Sequence, residues 1–176
     1  MKKSLLIISI SLAIASAAAA QMRFGLNPGV GLAMPMGDFG DAFGSGISVI
    51  AQFELEPTQS LAVTLQGGWQ RWGAERSSLI KVYNVPIMGG IKYYLAPGGT
   101  RPYLMGKIGH CIWGEEYTGY SESDMGLAFG GGAEISISPV VALDLAGSYY
   151  SVQTEGEASN FFELRSGIKF NFSVAK

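Results

Sequence analysis

Few side chains in this sequence are reactive, and they are scattered. There is one histidine, His110, and one cysteine, Cys111, side by side. In extended backbone, neighbouring side chains point to opposite faces, so these two cannot address one substrate from the same side. One imidazole and one thiolate also fall short of the four N/S ligands of a structural zinc site, and a lone cysteine has no intramolecular disulfide partner. Cys111 therefore reads as a packing residue. A serine nucleophile needs its histidine within ~3 Å. No serine is placed beside His110 by spacing, although Ser148 and Ser151 lie on another segment at similar height. The acids Asp38, Asp41, Glu115, Glu116, Glu122, Asp124, Glu155 and Glu157 fall in polar stretches, with a mixed group at Glu75, Arg76 and Lys81. No Asp-x-Asp-x-Asp-Gly calcium loop occurs among them. They read as solubilising charges, with binding of divalent cations or a basic partner as the alternative. No catalytic residue, metal ligand or cofactor site is expected.

The remaining charges are regular. Met125, Leu127, Phe129, Gly131, Ala133, Ile135 and Ile137 alternate with Gly126, Ala128, Gly130, Gly132, Glu134 and Ser136. One face is apolar and the other small or polar, a period of two residues that marks a strand. Turn signals divide the chain into eight such segments, at about 23–34, 46–56, 60–72, 82–95, 101–113, 124–137, 140–151 and 161–173. Short connections at Glu56-Pro57-Thr58-Gln59, Ala96-Pro97-Gly98-Gly99-Thr100 and Ser138-Pro139 alternate with longer polar ones at 35–45, 73–81, 114–123 and 152–160. In this register Lys92, Lys107, Arg165 and Lys169, and Glu54, Glu134, Asp144 and Glu163, all share the polar face, four charges of each sign.

Composition narrows the class. Glycine accounts for 25 of 176 residues, about twice its usual ~7%, which argues against a helical bundle. Charged residues are 15% and hydrophobic ones 48%, too apolar for disorder. Formal net charge is −2, so nucleic-acid binding through phosphate contacts is excluded. Lys2 and Lys3, the apolar run Leu5 to Ile14 and Ala18-Ala19-Ala20 read as a secretory leader cleaved after residue 20. Loss of the two lysines from 12 basic against 14 acidic residues leaves a mature net charge of −4 over 21–176. No later apolar run approaches the ~20 residues of a spanning helix. An exported, hydrophobic β-chain is then either a soluble β-domain or a membrane barrel.

Three features favour the membrane. Segments of roughly 11–14 residues cover the ~9–11 tilted residues that cross hydrocarbon, and short turns at one end with longer loops at the other are the habit of outer-membrane barrels. Aromatics gather at both ends: Trp69, Trp72, Tyr83, Trp113, Tyr149, Tyr150, Phe161 and Phe162 near the long loops, and Phe24, Phe53, Tyr93, Tyr94, Tyr103, Phe170 and Phe172 near the short turns. These are expected to form two interfacial belts.

Leu32-Ala33-Met34-Pro35-Met36-Gly37-Asp38-Phe39, then Val85-Pro86-Ile87-Met88-Gly89-Gly90-Ile91-Lys92-Tyr93-Tyr94-Leu95 and Arg101-Pro102-Tyr103-Leu104, taken in that order, resemble the eight-stranded outer-membrane barrel superfamily of OmpA-like, OmpX-like and opacity-type proteins. The similarity extends over nearly all of 21–176. Arg165-x-Gly167-x-x-Phe170-x-Phe172 is similar to the signal by which the barrel-assembly machinery recognises a final strand, although Ser173-Val174-Ala175-Lys176 follow here. The resemblance implies an all-β, eight-stranded antiparallel up-and-down transmembrane barrel in the outer membrane. Lipopolysaccharide and other outer-membrane lipid, periplasmic chaperones and the assembly machinery would be its partners. It would be a monomer, with a structural or adhesin-like role through its extracellular loops. No peptidoglycan-binding segment follows Lys176, so tethering to the wall is not expected.

Two other readings stay open on the residues: a small soluble β-barrel holding an apolar ligand, and an outer-membrane lipid-modifying enzyme using His110. An eight-stranded barrel is only just wide enough for its own side chains. The eight inward charges are therefore expected to plug the lumen in pairs, with Asp144 near Lys169 and Glu134 near Lys107.

Overall fold

The computed structural model describes residues 22–74, 77–116, 120–153 and 158–173. Eight strands pair in sequence order into a closed antiparallel barrel. They are β1 (Arg23–Met36), β2 (Gly46–Glu56), β3 (Leu61–Ala74), β4 (Ser77–Tyr94), β5 (Thr100–Glu115), β6 (Ser121–Ser136), β7 (Val141–Gln153) and β8 (Ala158–Ser173), with a five-residue helix, α1 (Asp38–Ala42), between β1 and β2. The leader at 1–20, the loop residues Glu75, Arg76, Glu155 and Glu157, and the tail after Ser173 lie outside the described residues.

Closure runs through β1 and β8, where Phe24 pairs with Phe172 and Gly31 with Arg165. The ladder is interrupted around Pro28 and again opposite Pro86, since proline has no N–H to donate. Close approach at the seam requires glycine. A Cβ on Gly167 would stand 2.5 Å from Asn27 Oδ1 and 2.9 Å from the Pro28 carbonyl, and one on Gly25 would stand 2.7 Å from the Lys169 Cε.

The barrel is inside out relative to a soluble one. Val30, Leu65, Ile87, Leu104, Leu127 and Phe129 are more than half exposed on the outer wall. Inside, ten charged side chains and amides such as Asn27, Gln52, Gln66, Gln70 and Asn84 are buried. Among the described residues this lining is charged and amide-rich through the middle and short-turn end, and the apolar outer wall suits hydrocarbon, the reverse of what a soluble ligand-binding barrel presents.

Of the four connections expected to be long loops, only 35–45 remains one. The strands run on through most of the others: Gly73 pairs with Lys81, Gly114 with Ser121, and Gln153 with Ala158. Those stretches lack proline and can keep their backbone groups paired in the ladder, so the hairpins extend beyond the apolar wall. The first loop differs because Gly37, at φ 60°, turns the chain into α1.

The belts also need correction. Trp69, Tyr83, Tyr149 and Phe162 take outward parity, but Trp72, Tyr150 and Phe161 are buried inside and Trp113 packs against them. At the other end Tyr94 and Tyr103 are buried in the lumen. Adjacent pairs such as Tyr93-Tyr94, Tyr149-Tyr150 and Phe161-Phe162 cannot both face lipid in a strand.

Candidate functional site: the charged lumen and its aromatic lid

Alternation alone delivers the inner face: even positions on β2, β3, β4, β6 and β7, and odd ones on β1, β5 and β8. Glu54, Lys92, Lys107, Glu134, Asp144, Glu163, Arg165 and Lys169 all lie there, buried. Two charges are added that the sequence reading left at strand ends without counting them in the lumen, Glu56, which also opened a turn, and Arg101, the first residue of its segment. Both continue an inner-face parity, two positions beyond Glu54 and two before Tyr103, and that was the available signal. Among the described residues the buried charges number five cations and five carboxylates.

Nearest the short turns, Lys169 Nζ reaches Glu56 at 2.6 Å, Glu54 at 2.7 Å and Glu134 at 3.0 Å. Lys92 Nζ joins Glu54 at 2.7 Å and Glu134 at 2.8 Å. Tyr94 accepts from Lys169 at 3.0 Å and donates to Glu134 at 2.7 Å. Arg101 closes this end, 3.1 Å from Glu56, with its guanidinium 3.6 Å from the Tyr94 ring centroid. At such burial each carboxylate needs several donors to offset its desolvation, and the Gln52 amide supplies Glu54 with another at 2.8 Å.

A second layer centres on Asp144, which accepts from Arg165 Nη2 at 3.0 Å, from the Tyr103 hydroxyl at 2.7 Å and from the Asn27 amide. Above it, Lys107 donates to Gln66, Gln66 to the Tyr150 hydroxyl at 3.1 Å, and Gln70 to Glu163 at 2.7 Å.

The expected pairs are therefore not the observed ones. Asp144 stands opposite Gly167, while Lys169 stands opposite Ala142, one inward step nearer the short turns, and its stem passes over Gly25 toward β2. Lys107 is opposite Ala128, whereas Glu134 is opposite Arg101. Register across several strands, rather than adjacency of two, selects the partners.

Aromatics cover the long-loop end. Tyr150 and Phe161 stack at 4.6 Å, Phe161 meets Trp72 edge-on at 5.1 Å, and Trp72 stacks on Trp113 at 5.4 Å. Phe39 of α1 lies edge-on to both tryptophans, at 5.3 and 5.6 Å. The Trp72 indole N–H is satisfied by the Ala33 carbonyl at 3.0 Å. Cys111 is buried in this cluster.

His110 is exposed on the outer wall and Ser148 is buried inside, so the barrel wall separates them. The serine beside His110 is instead Ser123, whose Oγ is 3.5 Å from Nδ1, at the far limit of a hydrogen bond. Glu122 and Asp124, counted above as loop acids, belong to β6 and take its inward parity at the rim. Among the described residues no group of three potential ligands gathers to hold a metal ion.

The assembly-signal residues divide by face. Arg165 and Gly167 point inward, and Phe170 and Phe172 project from the outer wall, 40% and 56% exposed.

Comparison with known proteins accords with this architecture. Neisserial surface protein A, NspA, superposes with a TM-score of 0.66 at 18% identity over 85% of this chain and 97% of that one. Ail, the attachment invasion locus protein of Yersinia pestis, solved with the heparin analogue sucrose octasulfate, gives 0.60 at 17% over 86% and 99%. OprG of Pseudomonas aeruginosa gives 0.59 at 14% over 86% and 96%. At these identities the likeness is one of fold. No curated protein sequence matches significantly. The family model for the outer membrane protein beta-barrel domain matches residues 4–174, and with the apolar wall and closed eight-strand order it makes this chain a member of that outer-membrane family.

Proposed function

We propose that this barrel is plugged and acts at the cell surface, as a structural or surface-interaction protein, without conducting ions and without catalysis. The observation that carries this reading is the placement of Lys92 and Lys169, both fully buried, between the carboxylates of Glu54 and Glu134 across the lumen. A permeating ion would have to part these groups, and uncovering one buried charge costs ~3–5 kcal/mol. The aromatic lid obstructs the same path a second time. The ten charges on this reading are structural.

Adhesion would then fall to the end that carries α1. The sulfated ligand of Ail is not carried over, because Asp38 and Asp41 on α1 and Glu116 beside the mouth are exposed acids, which complement a basic partner and repel a polyanion. Export would begin with cleavage of the leader after residue 20. Periplasmic chaperones would deliver a monomer to the barrel-assembly machinery, which would read Arg165, Gly167, Phe170 and Phe172 on the strand that closes the barrel.

The test is conductance. Purified, heat-modifiable protein in planar bilayers should show no stable open state. Steady ohmic conductance would refute the plug. Labelling of Glu116 in intact cells should succeed without disrupting the outer membrane, and labelling only after disruption would reverse the orientation.

A further inference from the structure

Every charged strand residue described above points inward, with two exceptions. Arg71 on β3 and Lys81 on β4 take outward parity, and among the described residues they are the only charged side chains on the outer face of a strand. A cation on the lipid face costs ~2–4 kcal/mol at the midplane and ~0–1 near the interface. The two sit where the wall turns polar: Arg71 lies opposite Ile47 on one side and Tyr83 on the other, two residues above Trp69. The Arg71 guanidinium is 5.8 Å from the Trp69 ring centroid, and one of its nitrogens is fixed by Glu116 at 2.6 Å, leaving Nε buried without a partner.

Arg71, Lys81, Ser45 and Ile47 line a recess of about 240 Å³. Ile47 also belongs to an apolar depression of about 810 Å³ with Val30, Leu32, Val49, Leu145 and Leu164. That depression shares Val30 and Val49 with a third, of about 670 Å³, reaching Ala51, Gly67 and Trp69. From Ile47 to Ala51 the strand runs about 13 Å at ~3.3 Å per residue, a descent of roughly 10 Å at a tilt of ~40°, within the roughly 15 Å of one hydrocarbon leaflet.

The geometry points to a site for one anionic lipid of the outer leaflet, its phosphate against Arg71 and Lys81 and its acyl chains in the apolar depressions below. The cationic head above a continuous apolar groove argues for a phospholipid-like amphiphile over a free anion or a protein segment. Glu116 orients the guanidinium and takes up part of its charge, so the pair acts with about one net positive charge toward the lipid. This site rests on the outer-membrane reading and not on the plugged lumen; an open channel would overturn the plug and leave the lipid site standing.

The experiment measures relative association of spin-labelled phosphatidylglycerol and phosphatidylcholine of equal chain length in phosphatidylcholine vesicles containing the folded protein. A preference of about five-fold for the anionic lipid is expected, which is ~1 kcal/mol at ~1.4 kcal/mol per tenfold. Arg71→Gln with Lys81→Gln should bring it to parity while the barrel stays heat-modifiable. Glu116→Gln, which frees the guanidinium, should raise it. No preference in the unaltered protein, a preference that survives the double change, or a fall with Glu116→Gln would each overturn the site. Displacement by inorganic phosphate would also overturn it, showing a small-anion site in place of a lipid one.

Discussion

Replacing Lys169 by Met tests whether the lumen is a mutually dependent ionic structure. The ammonium is fully buried and touches three carboxylates and the Tyr94 hydroxyl. Without it, Glu54, Glu56 and Glu134 face only Lys92 and Arg101. Three anions would share two cations, and one carboxylate would be left uncompensated. Truncating one partner of a buried pair costs ~3–5 kcal/mol, far more than the pair itself contributes. Met keeps most of the stem volume, so packing over Gly25 is preserved and the loss is electrostatic. Adding Glu56→Gln restores two against two and should recover ~0.5–3 kcal/mol, the range of coupling between contacting residues. The assay is urea unfolding of the refolded protein in lipid vesicles, followed by tryptophan fluorescence, with the single changes alongside the double one. A Lys169→Met loss below about 0.5 kcal/mol, on the scale of an ordinary surface change, or strictly additive losses, would refute the reasoning and show a wet lumen. Asp144, held by Arg165, Tyr103 and Asn27, also stands 4.0 Å from the Lys92 ammonium, so Asp144→Asn releases Lys92 toward Glu54 and Glu134 and should make its loss less than additive with that of Lys169→Met.

Two further predictions address the seam and its assembly. Gly167→Ala should destabilise protein refolded in detergent by ~1–3 kcal/mol, since the new Cβ meets the Pro28 carbonyl and overpacking cannot be relieved by a side chain alone; an unchanged unfolding midpoint would sink this. Phe172→Ala should lower the heat-modifiable fraction in cell outer membranes more than Phe39→Ala does, because Phe172 is on the closing strand and Phe39 on α1; equal yields would count against the assembly signal.

The inverted polarity has a consequence for how such a barrel is specified. Lipid supplies no drive to choose among apolar outer surfaces, so the outer wall tolerates any fitting apolar residue. The inner face is different: five cations and five carboxylates must each find partners, and a one-residue slip of any of the six strands that carry them, β2 and β4 to β8, would turn those charges toward lipid. On the proposed reading the buried ion pairs serve register more than stability, a use attested for buried polar groups elsewhere.

Strand number, order and inner face were legible from the sequence, because a period of two needs only local information and the rule that charges shun hydrocarbon sets which face is which. Glu54, Lys92 and Lys169 were placed inside on that ground alone. Which of them touch was not legible. Lys169 passes over a residue on β1 to reach β2, and Lys92 bridges carboxylates on β2 and β6, contacts that depend on the register of every strand between and on barrel closure. The same holds for the lid: Trp72, Trp113, Tyr150 and Phe161 sit on four different strands and were read as a belt, since their height is local information while their convergence on Phe39 of α1 is not. Arg71 and Lys81 carried a signal in their outward parity, but the apolar groove beneath them exists only where five strands meet around the closing seam. Sequence determined the two faces of the wall; only the closed barrel, by bringing distant strands across a narrow lumen, decided which residues on each face meet.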